Sequence, residues 1–238
     1  MTENIQDIQQ ALESFVEEKK VVQLPIFFKA FPGGYGEGDL FMGVSMPNIR
    51  IVAKEAYQEC SIEEIQYLLK HDYHEMRMCG LIIMLHHYTK KLIPQDVIIQ
   101  CYLDHLDYVN NWDLVDTSCY KLLGRYIYEG KMSNKVLYEL SGSGHLWRIR
   151  VAIVATMYMI KKDDYTDAFA LCEEHLSHDH DLIHKAVGWM LKEIGKRDEE
   201  AERDFLDKHY KNMSRTTLRY AIEKMDERVR QIYLKGDV

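Results

Sequence analysis

The chain has 238 residues, 47% of them hydrophobic, with only 4 Pro and 13 Gly and a formal net charge of -8. That length can bury a sizeable core, the scarcity of breakers favours helix over loop-rich folds, and the acidic balance excludes a uniformly basic surface. The acid excess is local, because residues 1–109 hold 9 Lys and Arg against 16 Asp and Glu while residues 110–238 hold 21 against 22. A near-neutral C-terminal half can still present a basic face if its acids lie on the other side.

The N-terminal segment Met1–Gln10 is polar and acidic, and no apolar run reaches the length of a membrane span. The expectation is a cytoplasmic protein with no membrane anchor. Apolar residues at helical period predict helices over 4–20, 47–58, 61–70, 74–90, 94–105, 111–129 and 133–141, and then over 145–160, 164–176, 180–195, 199–211, 215–224 and 226–235. The starts carry signals: Ser61 to Glu64 forms a capping box, Pro47 and Pro94 suit a first helical position, and Ser133 or Ser214 can cap the helix after it. The turns between these helices are short, and no linker is long enough to split the chain. This pattern predicts one all-α domain over 1–238, an α-solenoid of HEAT-like antiparallel helix pairs.

Pro32 to Gly38 is the one glycine-rich loop, yet no strand precedes it and no Gly-Lys-Ser/Thr follows, so a phosphate cradle is not expected there. The five cysteines (Cys60, Cys79, Cys101, Cys119, Cys172) are odd in number and irregularly spaced, which predicts reduced thiols. His180 and His184 stand four apart, but the residues between them lack the glutamate of a zinc-protease helix. His71, His74, His86 and His87 have no Cys or carboxylate at a recurrent spacing, so solvated or hydrogen-bonded histidines are expected, with no metal and no cofactor.

Asn110 to Asp116 carries the chemistry. Trp112 and Asp116 are four residues apart in a segment whose Asn111 can cap a helix and whose Asp113 complements the first turn, so one helical face should hold both. An aromatic face attracts a cationic ring, and a carboxylate stabilises a sugar cation or positions a water. Leu146 to Ile153 and Lys185 to Glu193 follow at roughly the length of one HEAT-type pair, each in a second helix of its pair. Equivalent helices of a solenoid line one concave surface, where Trp112, Asp116, Arg150 and Trp189 would converge.

The order NWDLVD, WRIRVAI, KAVGWMLKE, preceded by GYGEGDLFMGV, resembles the AlkD-type DNA alkylation-repair glycosylases, from about Phe27 to Glu193. The resemblance implies a HEAT-like fold and a monofunctional enzyme that excises cationic N3- or N7-alkylated purines from duplex DNA, acting as a monomer. It implies that Asp116 stabilises charge and positions water, that Trp112 and Trp189 form aromatic walls, and that Arg150, with Arg148, Lys185 and Lys192, contacts the DNA backbone. The segment Phe27 to Pro32 departs from the Thr-Gly usual after the lysine in that family. A catalytically inactive HEAT-like module that binds DNA structures or a protein partner is the alternative.

Overall fold

The computed structural model describes residues 2–237, and among them it is helical, with one isolated backbone bridge between Leu40 and Tyr73 and no strand. The chain divides into two compact units, Met1–Ser118 and Cys119–Val238.

The first unit contains α1 (Glu3–Glu13), α2 (Glu18–Phe27), α3 (Met46–Ala56), α4 (Ile62–Leu69), α5 (His74–Lys90), α6 (Gln95–Asp104) and α7 (Trp112–Ser118). Helix α5 is its centre: it is buried on nearly every side, from His74 through Met84, and packs against α3, α4, α6 and α7. An all-round apolar sequence such as Leu81 to Leu85 suits only such a position. The capping box at Ser61 is formed, with Ser61 Oγ accepting from the Glu64 amide and the Glu64 carboxylate accepting from the Ser61 amide. The helix expected over 4–20 is instead two helices. Chain direction changes after Glu13, where Ser14 Oγ donates to Ala11 O and the Glu17 amide donates to the distant Gly43 carbonyl at 3.0 Å. Helix α2 then runs through Pro25 to Phe27, a stretch for which periodicity predicted no helix.

The glycine-rich loop and its continuation fold back onto α5. Gly43 has φ +95°, and a Cβ there would lie 2.7 Å from Val21, so only glycine fits. A Cβ at Gly36 would meet the Phe28 carbonyl at 2.4 Å. The amides of Met42, Gly43 and Val44 all donate to the Glu75 carboxylate, at 2.9, 2.9 and 3.2 Å. The loop is thus an anion-binding nest filled by the protein's own carboxylate.

The second unit contains a π-helical turn (Tyr120–Gly124), then α8 (Arg125–Tyr128), α9 (Lys135–Ser141), α10 (Leu146–Ala155), α11 (Met157–Ile160), α12 (Thr166–Glu174), α13 (Asp181–Gly195), α14 (Glu199–His209), α15 (Arg215–Ala221) and α16 (Glu227–Lys235). The expected helix over 111–129 is therefore interrupted by the π turn. The expected helix over 145–160 breaks at Thr156, whose Oγ1 donates back to Ile153 O at 2.6 Å. Within this unit the pair α9–α10 stacks on the pair α12–α13 through α10 and α13, and α13 also packs on α14 and α15. Stacked helix pairs of this kind are those of an α-solenoid, so the all-α class read from the sequence holds. All five cysteines are buried thiols. No helix among the described residues is long and apolar enough to cross a membrane.

Candidate functional site

Helix α7 opens the site. Asn111, fully buried, accepts the Trp112 amide on its Oδ1 at 2.9 Å, and Val115 N closes the first turn onto Asn111 O. Trp112 and Asp116, one turn apart on this helix and both half-buried, share a face as their spacing predicted.

An aromatic stack supports the indole. Phe28, at the end of α2, lies 5.5 Å from Trp112 at 29°, and Phe27 meets the indole edge-on at 5.9 Å. Phe28 also stacks on Phe41 at 5.2 Å and 7°, and both phenyl rings touch the His74 imidazole at 4.9 and 4.8 Å. Phe28 and Phe41 also border a mostly apolar cavity of about 190 Å³ with Leu24, Ile49 and Met78, and its charged members are Lys20, His74, Glu75 and Asp113.

The imidazole of His74 is held at both nitrogens, Nδ1 to Asp39 at 3.2 Å and Nε2 to Asp113 at 2.9 Å. Burial opposes its charge, but the Asp113 and Asp39 carboxylates outweigh it, and its pKa is pushed up to about 9. His74 is therefore an imidazolium at neutral pH. Asp39 also accepts from Arg77 at 2.7 Å and from Asn110 at 3.1 Å. Burial would raise the Asp39 carboxyl, yet these partners and His74 hold it below the usual carboxylate range. Arg77 donates from Nη1 to the carbonyls of His71 and Asp72 and from Nη2 to Asp39 and Asn110. One buried network thus joins the glycine-rich loop, α5 and the first turn of α7.

The remaining residues singled out by sequence lie on α10 and α13 of the second unit. Arg150 is buried at 5% exposure and donates to Leu182 O at 2.5 Å, tying α10 to the first turn of α13. Arg148 is half-buried on the same helix. Trp189 is half-buried and donates from Nε1 to Glu193 at 3.0 Å. Lys185 pairs with Asp181 at 2.7 Å, and Lys192 pairs with Glu223 at 2.9 Å beside the Tyr220 ring. Within each unit the named residues share neighbouring elements: Trp112 and Asp116 on α7, the other five on the packed helices α10 and α13.

Sequence reading missed Phe28, Phe41, Asp39, His74 and Asp113 as a group. His74 is hydrogen-bonded, as expected of the histidines, but its carboxylate partners stand 35 residues before it and 39 after, a spacing no local pattern encodes. The available signal was chemical: Asp39 ends the glycine-rich segment, and Asp113 adjoins Trp112.

No curated protein matches the chain. Among solved structures, a predicted DNA alkylation repair enzyme from Enterococcus faecalis superposes with a TM-score of 0.73 at 14% identity, over 89% of this chain and 97% of that one. At that identity the likeness is one of fold. The model of the family described as DNA alkylation repair enzyme matches residues 8–225, a span that takes in α7, α10, α13 and every residue of the network around His74. By that match the chain belongs to the DNA alkylation repair enzyme family.

Proposed function

We propose that the protein is a DNA glycosylase that hydrolyses the N-glycosidic bond of N3- and N7-alkylated purines in duplex DNA. The observation that carries this reading is the placement of a half-buried indole and a half-buried carboxylate one turn apart on α7, in a chain of an alkylation-repair family. An alkylated purine already bears a positive charge. When its C1′–N bond breaks, the bonding electrons leave with the base, which departs neutral and needs no general acid. What remains is an oxocarbenium-like deoxyribose and an attacking water, the charge problem met in glycoside hydrolysis. Asp116 stabilises that cation and orients the water, whose proton passes to the carboxylate or to solvent. Trp112 packs against the lesion nucleotide, with its plane set by Phe28. Trp189 is assigned a second aromatic wall. Arg150, Arg148, Lys185 and Lys192 are assigned to phosphates.

The test is release of methylated purine from treated duplex DNA by the purified protein and by its Asp116→Asn variant. Base release by the variant should fall by about two orders of magnitude or more while duplex affinity stays within a few-fold. Undiminished release of 7-methylguanine by the variant, or rapid release of uncharged uracil, overturns the mechanism. A second reading is a non-catalytic DNA- or protein-binding module. It is favoured by the commitment of Lys185 and Lys192 to intramolecular carboxylates and of Arg150 to a backbone carbonyl. Duplex binding with no base release from any alkylated substrate would establish it.

A further inference from the structure

We propose that His74 is a positioning residue for Trp112 and Asp116: clamped between Asp39 and Asp113, it helps fix the rotation of α7 about its own axis and, through Phe28, the plane of the Trp112 indole. This rests on the glycosylase reading for its functional consequence, but its geometry stands by itself.

Helix α7 depends on its neighbours for its orientation. Seven residues long, it is too short to hold its own orientation by helical propensity, so tertiary contacts set it. Leu114, Val115 and Ser118 anchor its buried side, and Ser118 Oγ is within 3.0 Å of the Tyr102 hydroxyl. Asp113 adds a polar tie to the same first turn that Leu114 and Val115 bury. Asp113 directly follows Trp112 and precedes Asp116 by three residues, so any turn of the helix that moves its carboxylate carries both site residues with it. The His74 Nε2–Asp113 bond at 2.9 Å is a charge-assisted contact at that point, and the ring it starts from is 3% exposed. The second route is aromatic. The face of His74 touches Phe28, whose ring in turn stacks on the indole of Trp112.

The groups facing His74 come from every neighbouring segment. Asp39 of the loop and Asp113 of α7 favour its charge, while Arg77 on α5 opposes it and is itself tied to Asp39. Lys20 of α2 and Glu75 of α5 border the same cavity, and the Glu75 carboxylate is already bound by three backbone amides. Neutral His74 would have one N–H for two carboxylates, so one of its two contacts must be lost. Deprotonation therefore breaks either the bond to Asp39, which Arg77 and Asn110 still hold, or the bond to Asp113 on α7.

The experiment uses the full chain labelled with 5-fluorotryptophan, the Trp112 resonance being identified by its loss in Trp112→Phe. In the wild type that resonance should shift with pH with a midpoint near 9. Asp113→Asn, which removes the partner that favours charge most, should move the midpoint downward, and His74→Gln should abolish it. On alkylated duplex, kcat for base release should fall about tenfold to a hundredfold in His74→Gln, with KM within a few-fold, the loss expected when a reacting group is misplaced by about 1 Å. A Trp112 resonance that does not titrate in the folded wild type overturns the proposal, and so does a midpoint unmoved by Asp113→Asn. Absence of base release by the wild type would instead count against the glycosylase reading, and the Trp112 titration would still decide the role of His74.

Discussion

Asp39 shows how much one buried carboxylate can organise. Three side chains from two segments bond to it, and Arg77 alone joins it to the chain before α5 through two carbonyls. Removing one partner of a buried ion pair leaves the other charged and uncompensated. Arg77→Ala should therefore destabilise the protein by about 3–5 kcal/mol in urea unfolding, well beyond the cost of an exposed pair such as Arg203 with Glu199. A loss under about 1 kcal/mol would mean that Asp39 is held by His74 and Asn110 alone. At this scale the sequence was legible only in part. Trp112 and Asp116 could be placed together because a helix fixes the relation of residues four apart. Asp39, His74 and Asp113 could not, because three separate segments bring them together and none of them encodes the others.

Helices differ in the same way. The segment 74–90 was readable in full, since its apolar content is high and α5 has both ends where the pattern stops. The break between α1 and α2 was not, because Phe15 and Val16 continue the apolar pattern while the bond that turns the chain runs from Glu17 to Gly43. Helix α14 holds a buried carboxyl. Glu202 is 2% exposed and lies against Gly195 at the end of α13, where a Cβ would be 1.7 Å from its carboxyl. Its Oε1 has no hydrogen-bond partner, and burial, with Glu199 nearby, pushes its pKa up to about 8. A carboxyl with a raised folded pKa contributes stability that is full below its unfolded value and is lost as pH rises through the folded one. Glu202→Gln should match the wild type near pH 4.5 and exceed it above pH 8, by on the order of a few kcal/mol in denaturant unfolding. Parallel pH profiles for the two proteins would refute this.

For the whole molecule, ionic strength and pH are the informative variables. If the basic residues of the C-terminal half face phosphates, duplex affinity should fall steeply between low and high salt, because each neutralised phosphate releases counterions. Filter-binding affinities that do not change with salt would remove phosphate contacts from the account. The two shifts around His74 act at opposite ends of the pH scale. His74, with its pKa raised to about 9, stabilises the fold below its unfolded value and ceases to do so as pH rises through about 9, whereas Asp39, lowered, stabilises above its unfolded value and fails as pH falls. Wild-type unfolding free energy should accordingly drop on both flanks, and His74→Gln should lose most of the alkaline drop. A nest of three amides closed on an internal carboxylate is a receptor whose guest is covalently attached. Excising the guest in Glu75→Ala should leave donors that cost about 1–3 kcal/mol each when unsatisfied, together with a vacancy of carboxylate shape. Added acetate should then raise the melting temperature of that variant and leave the wild type unmoved, with chloride at equal ionic strength as the control.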